Sequence, residues 1–150
     1  MKLTIQQDLN IAENEIIIKC AHMDARLQTL IDYIRQFSFT LEGIREGQIY
    51  QLPLEKILYM DFVDRSTFLY DAENAYESKL SLTLLEQQLK NTSFVRISKN
   101  CILNTMFLKC VEPYPNHRLK AILQNGENLI IARNYISNLK EKISSGRVQP

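Results

Sequence analysis

Apolar and polar positions alternate along this chain in short pieces. Residues 1–8 and 15–21 are rich in Ile and read as two strands, with a polar turn from Asn10 to Asn14 between them. Across residues 24–37 the period lengthens. Leu27, Leu30, Ile31 and Ile34 fall at i, i+3, i+4 and i+7, one apolar stripe of an amphipathic helix with Asp24 placed as its N-cap. This predicts a β-β-α extension over residues 1–42, built to pack on the rest of the chain or to pair two chains, with its seam at Gly43.

From Leu41 onward most segments are strand-like. Residues 41–45 and 48–52 flank a Glu46-Gly47 hairpin turn, and Pro53 closes the second strand. Residues 57–62 and 67–70 follow, joined by Val63-Asp64-Arg65-Ser66, and residues 76–80 come after a turn at 72–75. A helix then starts at Ser81 or Thr83, the latter through a Thr83-x-x-Glu86 capping box, with Leu82, Leu85 and Leu89 (or Leu84) facing inward. In residues 94–104, apolar Phe94, Val95, Ile97, Ile102 and Leu103 surround a polar cluster, which is a strand running out into an exposed loop. Residues 106–111 are a further strand, and Pro113 and Pro115 make residues 112–116 an irregular loop. Residues 119–123 and 128–132 flank Asn125-Gly126, a hairpin pair for which both positions are expected at positive φ. Tyr135, Ile136, Leu139 and Ile143 have helical spacing, with Asn134 as N-cap, before a polar tail at 146–150. The fold class is α+β, predominantly β, with the β domain over residues 43–145.

A chain of 150 residues is long enough to bury roughly 68–70% of its unfolded surface, so one cored domain plus an extension is expected. No apolar run approaches the ~18 residues of a membrane span, and the N-terminus has neither the basic start nor the apolar stretch of a signal peptide, so a cytoplasmic location is expected. The odd number of widely spaced cysteines (Cys20, Cys101, Cys110) argues for reduced thiols. Charge is divided unevenly. Residues 1–90 hold nine Lys/Arg against fourteen Asp/Glu, and residues 91–150 hold nine against three, so a net −5 is followed by a net +6. A basic C-terminal part attracts polyanions.

Little here supports an enzyme. Cys20-Ala21-His22 supplies two metal ligands where zinc needs at least three from the protein, and Cys101 and Cys110 sit among apolar residues as small core groups do. His117 beside Arg118 reads as a solvated loop histidine. Asp61/Asp64 and Asp71/Glu73 lie at turn edges as solvating carboxylates, and there is no GxGxxG or GxxxxGK[ST] pattern. No catalytic residue, metal site or cofactor is assigned. Three polar outcrops remain, each pinned between apolar residues: Asp64-Arg65-Ser66-Thr67, Ser98-Lys99-Asn100 and Arg133-Asn134. Loops of this kind reach duplex DNA when a scaffold holds them side by side, with Arg or Lys on guanine and Ser, Thr or Asn on phosphate. The bland reading is a scatter of solvated charges between strands.

Residues 51–143 resemble the LytTR DNA-binding domain of bacterial transcription regulators. The resemblance rests on Ile57-Leu58-Tyr59-Met60-Asp61, on Phe94-Val95-Arg96-Ile97-Ser98-Lys99 followed by Asn104 for the F-x-R-x-S-x-S-x-x-V-N element, and on Leu123-x-Asn125-Gly126-Glu127 leading to Arg133-x-Tyr135. The extension looks like that of single-domain members, and residues 1–40 show no acidic pocket of a receiver domain. The resemblance implies an elongated β domain that inserts loops into successive major grooves of double-stranded DNA, at direct-repeat half-sites bound by two protomers or a homodimer. It implies base contacts at Thr67, Lys99 and Arg133 and backbone contacts at Arg65, Ser66, Arg96, Ser98, Asn100 and Asn134. Thr67 replaces a larger polar residue, Asn100 stands where Ser is usual, and Asp61 shortens the usual Glu. Two other classes are weighed: an interaction module whose extension binds a co-encoded membrane protein, and a small-ligand sensor with a pocket between extension and domain.

Overall fold

Short strands with one or two apolar faces have to pair widely before they can enclose a core, and here they pair antiparallel throughout. The computed structural model describes residues 1–144; the polar tail expected at 146–150 lies outside the described residues. Strands β1 (Thr40–Arg45), β2 (Gln48–Pro53), β3 (Tyr59–Val63), β4 (Ser66–Tyr70), β5 (Ala75–Ser78), β6 (Phe94–Ser98) and β7 (Cys101–Asn104) form a seven-stranded sheet in the order β2-β1-β5-β4-β3-β7-β6. Strands β8 (Leu108–Tyr114), β9 (Arg118–Leu123) and β10 (Asn128–Ile131) form a three-stranded sheet in the order β10-β9-β8. Helices α1 (Ala25–Gln36), α2 (Leu82–Gln88) and α3 (Ile136–Ser144), with three 3-10 turns at Leu54–Lys56, Thr105–Phe107 and Arg133–Tyr135, complete the described elements. The chain is α+β and predominantly β, as its patterning predicts.

Two cores lie on opposite faces of the β6–β7 hairpin. Leu82, Leu85 and Leu89 bring α2 against Met60, Leu69, Phe94 and Ile102. On the other side Val95, Ile97 and Leu103 meet Ala121, Leu123 and Ile131 of the small sheet and Leu139 of α3. Each fully buried side chain of this size contributes about 1.5–3 kcal/mol. The hairpin base is therefore held from both faces, which fixes where its turn emerges.

Several details depart from the sequence expectation. Residues 1–24 form no strand, and Leu3, Ile5, Ile16 and Ile17 are exposed; two strands without a third or a covering helix are marginal in water. Gly43, expected as the seam, lies inside β1, where a Cβ would stand 2.7 Å from Tyr76 Cβ and 2.8 Å from a Leu52 methyl. The capping box at Thr83 is unused, because Ser81 Oγ accepts from the Leu84 N–H (3.1 Å) and leaves Leu84 outside. Strand β8 continues through Pro113, tolerated because β8 is an edge strand whose missing N–H is not needed. In the Asn125-Gly126 turn only Gly126 has positive φ (91°), and the Gly126 N–H donates to Leu123 O (2.9 Å), closing a three-residue loop. Asn134 lies within a single 3-10 turn (Arg133–Tyr135) capped by Ala132, not at the start of α3.

The helix of the extension is present, and Asp24 Oδ1 caps it by accepting from the Leu27 N–H (2.7 Å). Its last residue, Gln36, is fully buried. Gln36 Nε2 donates to Ser93 Oγ (3.1 Å), its Oε1 accepts from the Ser93 N–H (3.0 Å), and Ser93 Oγ donates to Asn104 Oδ1 (2.6 Å). Asn104 Nδ2 in turn donates to the Ile57 carbonyl (2.7 Å). This buried chain of hydrogen bonds ties α1 to the base of the β6–β7 hairpin.

Candidate nucleic-acid interface

Strand order decides whether the three polar outcrops meet. β3 lies beside β7, with Asp61 opposite Cys101, and the Phe62 N–H donates to the Asn100 carbonyl (2.9 Å). The β3–β4 turn and the β6–β7 turn thus leave the sheet side by side at one end. The Ala132 N–H donates to the Ile97 carbonyl (2.9 Å), which brings Arg133 and Asn134 next to the same turn from the other flank. Residues 64–66, 98–100 and 133–134 form a row, and the side chains of Arg65, Lys99 and Arg133 are exposed and carry no ion pair among the described residues.

Each turn is shaped differently. Asp64 (φ 52°) and Arg65 (φ 63°) occupy the left-handed region, the geometry of a type I′ hairpin whose twist matches its strands. At the β6–β7 turn a register shift between Arg96 and Ser98 bends the strand. There the guanidinium of Arg96 folds back onto the turn: Nε donates to Ser98 O (2.9 Å), one terminal nitrogen reaches the Lys99 carbonyl, and the other pairs with Glu86 (3.3 Å). The Asn100 N–H donates to Ser98 Oγ (3.3 Å). Arg96, carried over as a backbone contact, is engaged in bracing the turn that presents Lys99.

Thr67, expected as a base contact, lies away from the exposed row. It is 4% exposed, lying opposite Phe62 and Ser78 on the face that carries Leu69 into the core. Lys79, a cation one residue past a strand end, is exposed directly after Ser78, the partner of Thr67, and so stands at the same end of the sheet. The turn between β8 and β9 also belongs to this end, since Leu119 pairs with Ile131 just before Arg133. Arg118 there donates to Pro115 O (2.9 Å) and stacks over Tyr114 with 4.9 Å to the ring centroid.

At the far end of the β3–β4 pair from the row lies a braced polar layer. Tyr59 and Tyr70 stack at 4.5 Å, Tyr70 donates to Asp61 (2.9 Å), and Tyr59 donates to Glu127 (2.8 Å). Burial raises the Asp61 carboxyl above its usual range, only partly offset by the Tyr70 hydrogen bond. Burial, with Asp61 adding to it, pushes the Cys101 thiol up to about 12, far from a nucleophile at neutral pH. Among the described residues no three His, Cys, Asp or Glu side chains come together as a metal site.

Fold and site together define an antiparallel β module that displays cations on consecutive turns at one end. The chain belongs to the LytTR family: the family model for the LytTr DNA-binding domain matches residues 47–144. An uncharacterized HTH-type transcriptional regulator of Staphylococcus aureus is 25% identical over 146 residues, covering 96% of this chain and 99% of that protein. The sensory transduction protein LytT of Enterococcus faecalis is 29% identical over 98 residues, 65% of this chain and 40% of LytT. Among solved structures, the LytTr DNA-binding domain of a Bacillus cereus protein described as a methyl-accepting/DNA response regulator matches with a TM-score of 0.66 at 22% identity. That match covers 70% of this chain and 96% of the other, and it shows the fold. The family is a DNA-binding one, not an enzyme class. No helix among the described residues is long and apolar enough to cross a membrane.

Proposed function

We propose that this protein regulates transcription by binding a specific duplex sequence through the turns at 64–66, 98–100 and 133–134. The observation that carries the reading is the pair of backbone hydrogen bonds, Phe62 to Asn100 and Ala132 to Ile97, that aligns these turns with their cations unpaired. Lys99 and Arg133 enter the major groove and read bases, where an Arg or Lys meets guanine O6 and N7. Arg65, Ser66, Ser98, Asn100 and Asn134 hold the sugar-phosphate backbone and set the register. Arg96 acts through the turn that carries Lys99. Two protomers occupy adjacent direct-repeat half-sites, and the protein works in the cytoplasm.

Selection from random duplexes at stated salt gives the operator, and two substitutions then test the assignment. Arg133→Ala is expected to weaken that operator by about 1–3 kcal/mol and relax one position of it. Arg65→Ala weakens all duplexes alike and lowers the salt slope by about one. If neither change alters affinity for any duplex, the proposal is wrong.

A further inference from the structure

The first 36 residues contain more apolar surface than their own chain covers. Leu3, Ile5, Leu9, Ile16 and Ile17 are all exposed, and no apolar residue of α1 is buried although the helix carries a continuous stripe. Both cores of the β domain are already filled from its own strands and helices. A unit of this size lies below the ~40 residues that usually support a core, and a lone pair of strands is marginal. Two such units together double the apolar surface available to one core and bring two copies of α1 to it.

Residues 15–19 identify which partner fits. The sequence Glu15-Ile16-Ile17-Ile18-Lys19 is complementary to itself when run antiparallel about Ile17. Ile17 then faces its own copy, Ile16 faces Ile18, and Glu15 faces Lys19 on both sides of the two-fold axis. Opposite charges and β-branched pairs set directly across a strand pair stabilise it. Successive residues alternate faces, so in such a pairing Ile16 and Ile18 share one side, opposite to Glu15, Ile17 and Lys19. Burial values of 1.5–3 kcal/mol per side chain correspond to roughly 60–120 Å² each. The ten exposed large apolar residues of residues 1–36 therefore give on the order of 600–1,200 Å² per protomer, against about 800 Å² for a stable interface.

We infer that residues 1–36 are half of a dimerisation module, completed by a second copy through antiparallel pairing of residues 15–19 about Ile17. The Staphylococcus relative aligns over 96% of this chain, so its alignment takes in most of this segment. The inference gives a surface to the two protomers of the proposed function and does not rest on which residues read bases.

A charge-swap series on the full chain, read by sedimentation equilibrium without DNA, tests it. The unmodified chain is expected to be a dimer. Lys19→Glu places two like-charged pairs across the axis and should weaken the dimer by roughly ten-fold or more, as should Glu15→Lys. The double variant, Glu15→Lys with Lys19→Glu, should regain the original dissociation constant. Thermal unfolding of the β domain should be the same in all four proteins, since both positions are exposed. A monomeric unmodified chain, including one whose own residues 15–21 fold back, overturns the inference. So does a double variant no tighter than the single ones. Because no DNA is present, failure of the base-reading assignment leaves these results untouched.

Discussion

Replacing Arg96 by Lys separates two roles that a cation near DNA can have. In the folded chain the Arg96 fork holds Ser98 O at 2.9 Å, the Lys99 carbonyl and Glu86 at 3.3 Å. A lysine ammonium keeps the charge but reaches only one of these acceptors, since it lacks the planar fork. Hydrogen bonds from a charged donor are worth about 1.5–3 kcal/mol when desolvated. Lys99 and Asn100 are exposed, so a freed carbonyl rehydrates and the net loss of turn order is about 1–2 kcal/mol. If Lys99 reads a base only from the braced turn, operator affinity falls by the same amount, roughly 5–30-fold at 1.4 kcal/mol per decade. The salt slope stays unchanged, because no phosphate contact is lost. Fluorescence anisotropy on a labelled operator across a potassium chloride series measures both quantities. Wild-type affinity for Arg96→Lys, together with a slope lowered by about one in Arg96→Ala, would put the guanidinium on phosphate and refute the bracing role.

Three further outcomes follow from the interior. Asn104→Ala leaves the Ile57 carbonyl, the Ser93 hydroxyl and the Met106 N–H without their partner, a loss of about 3–5 kcal/mol that urea unfolding will register; a change below about 1 kcal/mol would contradict the network. Asp61 keeps its proton to higher pH in the folded chain than in the unfolded one, so its ionisation works against the fold as pH rises from the usual carboxylate range through the raised value. Asp61→Asn should therefore gain stability at neutral pH and lose that advantage toward pH ~3, and a pH-independent difference would show that burial of the carboxylate is not the cause. Cys20 and Cys110 are exposed while burial protects Cys101, so Ellman's reagent should titrate two thiols quickly in the native protein and the third only in denaturant. Rapid reaction of all three would mean that the β3–β7 region opens readily.

Elements with local causes were legible from sequence. The α1 stripe and its Asp24 cap, the Glu46-Gly47 hairpin and the Phe94–Leu103 alternation each depend on neighbours a few residues away. What depended on distant pairing was not. No periodicity specifies that β7 lies beside β3, yet that adjacency is what sets Arg65 next to Lys99. Arg96 alternates with Phe94 and Ile97 in a way that fits both an outward and a folded-back side chain, and only the register shift and the Glu86 pairing from α2 resolve it. Thr67 is the reverse case: the period of two already put it on the face of Leu69, where the structure buries it. The strands expected at residues 1–8 and 15–21 have the right pattern but no cover within the chain, and pattern alone cannot supply a partner.

The Asp64-Arg65 turn sets two selective pressures against each other. Both residues sit at positive φ, where a side chain costs on the order of 1 kcal/mol that glycine would not incur. The chain accepts glycine in the equivalent position of the β1–β2 turn, where Gly47 follows Glu46, but keeps an arginine at the row of cations. On the proposed contact of Arg65 with the DNA backbone, a screen that rewards thermal tolerance alone will drift toward Arg65→Gly and enrich well-folded proteins with weakened DNA binding. Position 65 is thus where stability engineering of this protein has to be checked against binding at every round.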